Sequence, residues 1–358
     1  MSGQSQGLER DLTDELCAQV AAADGDGTPL RIAGGGTKAF YGRTVEGAVL
    51  DVTTHRGITH YDPVELIVSV RAGTPLHRLE ATLAASGQHL PFEPPHFGPD
   101  ATVGGMVATG LSGPRRPWSG AVRDYVLGIR LIGHQGRPLR FGGEVMKNVA
   151  GYDLSRLMTG AQGTLGVITE VSLKVLPQPA ASYSLQLQLP LEHAMTKLTQ
   201  WGRQPIPLTG AAWWNGTLHL RLEGGSRSVD ANRARLGGEN LGADFWRQLR
   251  EQELSFFDAA DSRPLWRLSV PQRTLPLPLE GSWLYDWAGA QRWLRSDIRA
   301  DTIRETAVGA GGHATCFTPG TTEPFTPLAP VLAKYHRQLK ARLDPKGIFN
   351  PGRLYRDL

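Results

Sequence analysis

The chain has 358 residues, of which 40% are hydrophobic and 20% charged. Length and composition predict a globular protein with a sizeable core, in two domains or one domain with a large insertion. The formal net charge is only +4. Lys and Arg are scattered, and the densest runs, Arg115-Arg116 and Lys334 to Arg342, read as solvated faces, which argues against a nucleic-acid-binding patch. Two cysteines, Cys17 and Cys316, cannot form a disulfide framework, and no Cys-x-x-Cys spacing exists for zinc or an iron–sulfur cluster. The polar Met1 to Arg10 segment lacks a cationic start followed by an apolar core, and no run of 18 apolar residues occurs. We therefore expect no signal peptide, no membrane span and a cytoplasmic location.

Along the chain, Leu8, Leu12, Leu16 and Val20 fall on one stripe and predict a helix from Leu8 to Ala23. Short β-type runs follow at Leu30–Ala33, Gly47–Val52 and Leu66–Val70, then a helix over Pro75–Ser86 closed by Gly87. This β–β–α–β order is not the steady alternation of a doubly wound parallel sheet. Residues 91–120, rich in proline and glycine, predict an ordered loop with short helical pieces. Strands return at Tyr125–Ile132, Leu139–Phe141 and Gly166–Val175. After the linker Leu176-Pro177-Gln178-Pro179 the composition changes: residues 180–320 hold eight of the nine tryptophans. Strands at Ser182–Leu189, Leu218–Leu222 and Leu265–Val270 and a helix at Val229–Leu241 predict a second α+β unit. A helix over Pro330–Leu343 leads into a turn and tail.

Three glycine loops carry the chemistry. Gly34-Gly35-Gly36-Thr37-Lys38 follows a strand, and its successive N–H groups suit a pyrophosphate. Gly34, Gly36 and Ala39 satisfy the G-x-G-x-x-A pattern with Asp51 downstream, but Lys38 to Glu46 is too short for a crossover helix, which argues against a dinucleotide-binding βαβ unit. A phosphate-binding P-loop fails as well, because Lys38 follows Thr37 instead of preceding it. A plain tight turn is the bland reading. The second loop, Thr102-Val103-Gly104-Gly105 through Gly110-Leu111-Ser112-Gly113, is small at nearly every position and suits close packing on a flat ligand or on another backbone. The third runs from Gly151-Tyr152-Asp153-Leu154 to Gly163-Thr164-Leu165-Gly166-Val167-Ile168-Thr169, a short helix, glycines and a β-branched strand.

In this order the three segments, with Asp344-Pro345-Lys346-Gly347-Ile348-Phe349-Asn350-Pro351-Gly352 at the end, resemble the FAD-binding domain of the vanillyl-alcohol oxidase (PCMH-type) family over residues 1–178 and 326–358. The stretch Lys147-Asn148-Val149-Ala150-Gly151-Tyr152-Asp153 and the short total length are most similar to the flavin-bearing E-subunit family of bacterial glycolate oxidases. The resemblance implies an α+β fold. It would comprise a PCMH-type FAD-binding domain of two α+β subdomains (1–178), an inserted smaller α+β cap (179–325) and a C-terminal segment (326–358) returning to the FAD domain. It implies that FAD is held by Gly34, Gly35, Gly36, Thr37, Thr102, Gly104, Gly105, Gly110, Ser112, Gly120, Gly163, Gly166, Val167 and Ile168. Gly34 to Thr37 and Gly104-Gly105 would line the pyrophosphate, and Gly166 to Ile168 would lie along the flavin. Where family members attach FAD covalently a histidine follows the first glycines; Thr37 stands there, so the implied FAD is non-covalent. The implied partners are a larger FAD subunit and an iron–sulfur subunit, with peripheral membrane association through them, and the implied substrate is glycolate or a similar 2-hydroxy acid such as D-lactate.

Oxidising a 2-hydroxy acid needs a hydride acceptor, a base for the hydroxyl proton and a cation for the carboxylate. In the expected cap, His313 enters a strand after Gly311-Gly312, and Arg267 alternates with apolar residues in Leu265–Val270. We take these two as the catalytic candidates, with Arg292 considered beside them. The bland reading makes them a surface arginine and a hydrogen-bonded strand histidine. Related D-2-hydroxy-acid dehydrogenases carry a metal-binding His/Glu cluster in the cap; residues 180–320 hold only His193, His219 and His313, so no metal is expected. His89, Glu93 and His96 lie among Pro91, Pro94 and Pro95 and predict a loop without metal. Trp213, Trp214, Trp266, Trp283, Trp287 and Trp293 are expected mostly in the core, some at a docking face. The lack of a cap metal cluster leaves a second reading, a non-catalytic flavin-bearing assembly or electron-relay subunit.

Overall fold

The computed structural model describes residues 9–143, 153–242 and 244–358. Asp11 accepts hydrogen bonds from the amide and hydroxyl of Thr13 and so starts a helix, Thr13–Asp26, that ends at Gly27 in the left-handed conformation. The helix begins and ends later than its periodicity predicts, and Leu8 lies outside the described residues. Leu16, Val20 and Ala23 of its apolar stripe pack against Leu50, Ile132, Val167, Ile348 and Phe349.

The strand Leu30–Ala33 pairs in parallel with Ala48–Asp51. Its other edge takes the C-terminal tail: Leu30 N donates to Ile348 O at 2.7 Å, Asn350 N donates to Leu30 O at 3.0 Å, and Ile32 N donates to the Asn350 side-chain oxygen at 2.8 Å. A five-stranded antiparallel sheet follows in the order Ile58–Asp62, Ile67–Arg71, Val167–Lys174, Val126–Ile132, Pro138–Gly142. Helices Leu76–Ala85 and Val103–Thr109 cover it through Leu76, Leu79, Leu83, Val103, Met106 and Val107. The edge strand Ile58–Asp62 was not legible as a strand, because Thr59, His60 and Asp62 interrupt its apolar pattern.

An eight-stranded antiparallel sheet occupies residues 181–316. Its order is Glu239–Asn240, Ala181–Gln188, Thr217–Gly224, Leu208–Trp214, Ser282–Asp286, Gln291–Arg295, Leu265–Ser269, His313–Cys316. The helix expected over Val229–Leu241 runs instead over Ser226–Leu236, because Gly237 and Gly238, both at positive φ, stop it. Trp246, Trp266, Trp287 and Trp293 are buried in the core. One face of this sheet packs on the helix Ala300–Gly309 through Leu268, Leu294, Ile303 and Ala307. The other turns Trp293, Leu265, Leu284 and Phe317 toward Tyr41 and Leu111 of the preceding unit. The last helix, Pro330–Leu343, has its predicted bounds.

The candidate cofactor cavity and the interface above it

The three glycine loops and the tail converge on one cavity of 360 Å³. Gly34, Gly35, Gly36, Thr37, Thr102, Gly104, Gly105, Gly163, Gly166 and Ile168, all singled out in the sequence, line it together with Lys38, Gln162, Asn350 and Arg353. Two glycines are explained by geometry. A Cβ on Gly35 would sit 1.6 Å from the carbonyl oxygen of Asp100, and Gly36 has φ +74° and meets nothing within 4 Å, so its outer face is open. Among the described residues, the N–H groups of Gly35, Gly36 and Thr37 donate to no protein acceptor. A row of unspent donors on a loop that only glycine can build fits the diphosphate of a dinucleotide cofactor such as FAD.

The other sequence candidates lie elsewhere. Val167 turns its side chain away from the cavity, into the core beneath the N-terminal helix. Gly110 packs on Gly160 and Thr159, and Gly120 lies against Asp124. Ser112 belongs to a second, smaller pocket shared with Gly113, Arg267, Asp286 and Gln291. Of the Lys147–Asp153 motif only Asp153 lies within the described residues, where its carboxylate accepts from Arg156 N and caps the helix Leu154–Leu157.

Arg353 carries no sequence signal of its own, yet it ties the cavity floor together. Its guanidinium donates to the carbonyls of Lys38, Ala39, Tyr41 and Arg43 and, at 2.8 Å, to Gln162 Oε1. Asn350 Nδ2 donates to Gln162 O at 2.7 Å. The Asp344-Pro-Lys-Gly motif is a knot behind these contacts. The buried Asp344 carboxylate accepts from Lys340 Nζ (2.6 Å), Ile348 N (3.0 Å) and Phe349 N (2.8 Å), and Lys340 also donates to Thr164 O and Phe349 O.

At the interface between the two units, register places His313 opposite Ser269 and Arg267 opposite both Thr315 and Trp293, so His313 and Arg267 share one sheet face. Arg267 Nη2 donates to the Tyr41 hydroxyl at 3.0 Å, and its guanidinium lies over the Tyr41 and Phe317 rings. His313 is exposed at the strand start; the surrounding protein, and then the Arg267 charge, hold its imidazole below the ordinary range. Arg292 is fully buried and donates to the carbonyls of Gly289, Leu275 and Thr274, a structural role.

Sequence reasoning also missed a buried ionic cluster spanning the units. Glu93 accepts from Arg115 and, at 2.8 Å, from Arg221; Glu223 accepts from Arg115, Arg221 and Thr209. Burial pushes the Glu93 carboxyl up, but Arg221 and Arg115 outweigh it and hold the carboxyl below its usual range. Glu93 is thus one half of an ion pair, His96 Nε2 meets Glu80 Oε2 at 3.0 Å, and His89 lies beside Arg115 and Glu93.

Nearby, Asp286 accepts from Trp287 N and Gln291 Nε2, and its full burial raises its carboxyl from 3.8 to about 7. A carboxyl raised on folding takes up a proton, so its contribution to stability is complete below about pH 4 and is lost as pH climbs through about 7. Asp286→Asn is therefore expected to remove a fall in stability that the wild type shows across that window. Denaturant melts at pH 4.5 and 7.5 measure it; an unchanged difference between the two pH values in the variant would contradict the assignment.

The glycine cradle, its unspent donors and the two-sheet arrangement define a flavoprotein, and the comparisons agree: the chain belongs to the PCMH-type FAD-binding family, and its cofactor is FAD. Residues 11–142 match the FAD binding domain family. The chain is 54% identical over 350 residues, 98% of its length and 99% of the relative's, to glycolate oxidase subunit GlcE of Escherichia coli (strain K12). It is 34% identical over 200 residues to a D-lactate dehydrogenase of Archaeoglobus fulgidus, covering 55% of this chain and 44% of that one. Among solved structures, an alkyldihydroxyacetonephosphate synthase superposes with a TM-score of 0.69 at 17% identity, covering 95% of this chain and 76% of that one, which bears on fold alone. The chain is an FAD-dependent oxidoreductase by family. No helix among the described residues is long and apolar enough to cross a membrane.

Proposed function

We propose that this chain is the FAD-bearing subunit of a complex that oxidises glycolate or a similar 2-hydroxy acid, with the electrons passing to an iron–sulfur partner. The observation that carries the reading is the end-to-end similarity to a glycolate oxidase subunit, 54% over 98% of the chain, around a cavity with the donors FAD requires. In this reading residues 1–178 and 326–358 form the FAD domain and 179–325 the cap. FAD is bound without a covalent link, since Thr37 offers no ring nitrogen, and any membrane contact is made through the larger FAD subunit and the iron–sulfur subunit. Gly34 to Thr37 and Gly104-Gly105 hold the diphosphate, and Gly166 to Ile168 border the flavin.

FAD supplies the hydride acceptor. In this reading Arg267 holds the substrate carboxylate, exchanging its Tyr41 contact for a bidentate pair. In this reading His313, whose imidazole the surrounding protein and then the Arg267 charge hold below its ordinary range, takes the hydroxyl proton as the 2-oxo acid forms. One observation favours the second reading, a flavin-bearing relay subunit without its own turnover: Arg267 is already engaged by Tyr41 and two rings, and His313 faces solvent.

Anaerobic titration of the purified chain with glycolate and then D-lactate separates the two. Bleaching of the flavin spectrum, lost in Arg267→Met, is the outcome expected from turnover on this chain. An unchanged spectrum with FAD bound would move the chemistry to a partner subunit.

A further inference from the structure

Lys38 directly follows the glycine loop and is 8% exposed. It lines the FAD cavity beside the unspent N–H groups of Gly35, Gly36 and Thr37. Its Nζ donates to His96 O at 3.0 Å and weakly to Thr37 Oγ1 at 3.4 Å, and lies 5.7 Å from the centre of the Phe97 ring. Among the described residues no carboxylate pairs with it. Glu251, the acid that faces it, is held by His96 N, Phe97 N and Arg250 Nε. His96 is turned to Glu80, and the contact of Arg353 with Lys38 is to the Lys38 carbonyl, not its ammonium. A buried ammonium with no counter-ion, set against a donor-lined cavity, is costly in the empty protein and favourable once an anion arrives.

We propose that Lys38 supplies a counter-charge in the cofactor cavity, which Arg31 and Arg353 also line: its ammonium stabilises the anionic diphosphate of bound FAD. The proposal rests on the non-covalent reading of the cofactor. Burial, only partly opposed by Glu251, draws the Lys38 amine from 10.5 down to about 8 in the free protein. An anion that binds the ammonium form raises that value. Affinity is therefore full below pH 8 and falls as pH rises through it, until the lysine is neutral in both states.

The test is the FAD dissociation constant of the apoprotein, read by quenching of flavin fluorescence between pH 6.5 and 9, for wild type, Lys38→Met and Lys38→Arg. We expect the wild type to weaken with rising pH. Lys38→Met should be about ten- to a hundredfold weaker at pH 6.5 with a flat profile. Lys38→Arg should bind with a flat, tight profile, because a guanidinium stays charged throughout. Equal affinity of Lys38→Met and wild type at pH 6.5, or a wild-type pH profile that persists in Lys38→Arg, would overturn the proposal. Should Lys38→Met fail to fold, as judged by circular dichroism, the Lys38→Arg profile decides alone. A wild type that binds no FAD at any pH would instead sink the reading of the cavity itself.

Discussion

Asp344→Ala is expected to destabilise the protein by about 3–5 kcal/mol and to lower its melting temperature by roughly 10 °C, with loss of retained FAD. The carboxylate is 1% exposed and is the only acid paired with Lys340 among the described residues. Removing it leaves a buried ammonium with two carbonyl acceptors and no counter-charge, and frees the amides of Ile348 and Phe349. Those two residues are fully buried, and their segment hydrogen-bonds to Leu30, the strand that leads into the glycine loop. The damage therefore travels from the tail to the cavity. Lys340→Met/Asp344→Asn, which removes both charges, should recover part of the loss, because the desolvated charge is then gone. Differential scanning calorimetry with flavin absorbance on the same samples checks both effects; an Asp344→Ala protein that keeps FAD and melts within about 2 °C of wild type would contradict the account.

Arg221→Met should cost a similar 3–5 kcal/mol by a different route. Arg221 and Arg115 together balance Glu93 and Glu223, and all four side chains are at most 16% exposed. Without Arg221, two buried carboxylates share one guanidinium, so one must be protonated or hydrated, and the packing of Arg221 on the Trp246 ring is lost as well. Because Glu93 and Arg115 lie in the loops of the first unit and Arg221 and Glu223 on a strand of the second, the expected sign is separation of the units before global unfolding. Arg221→Met should then be cleaved by trypsin near the junction faster than wild type. The double variant Arg221→Met/Glu223→Gln, which restores charge balance, should regain at least about 1 kcal/mol. Additive losses in the double variant would mean the four groups do not act as a unit.

What the sequence made legible follows from what kind of signal each part carries. The glycine loops were readable because close backbone approach leaves a distinctive composition, and their order along the chain set them apart from plain turns; they meet in one cavity. The strand Val126–Ile132 was readable because its residues are apolar and mostly buried apart from Arg130, and Leu30–Ala33 because its short apolar run around Arg31 leads straight into the glycines. The strand Gln291–Arg295 was not, because its five buried residues include Arg292 and Arg295, whose charges are absorbed by carbonyls far away in sequence. The Lys340–Asp344 pair could have been suspected from its i,i+4 spacing before a turn. Arg353 and the Glu93 cluster could not: their partners are assembled by tertiary contacts spanning 128 residues for Glu93 and Arg221 and 191 for Arg353 and Gln162. His313 and Arg267 share a sheet face that a pattern of alternation alone could not register against each other.

The pairing of Leu30 with the tail also orders events in time. The Ile32–Asn350 bond closes a loop of 318 residues, so the strand that feeds the glycine loop lacks its second edge until residue 350 has been made. Contacts so distant in sequence form late. On the ribosome, the first unit must wait with an open strand edge while the second is synthesised. A chain truncated before Ile348 is therefore expected to lose the second edge of this strand and, with Asn350 and Arg353, part of the lining of the cavity.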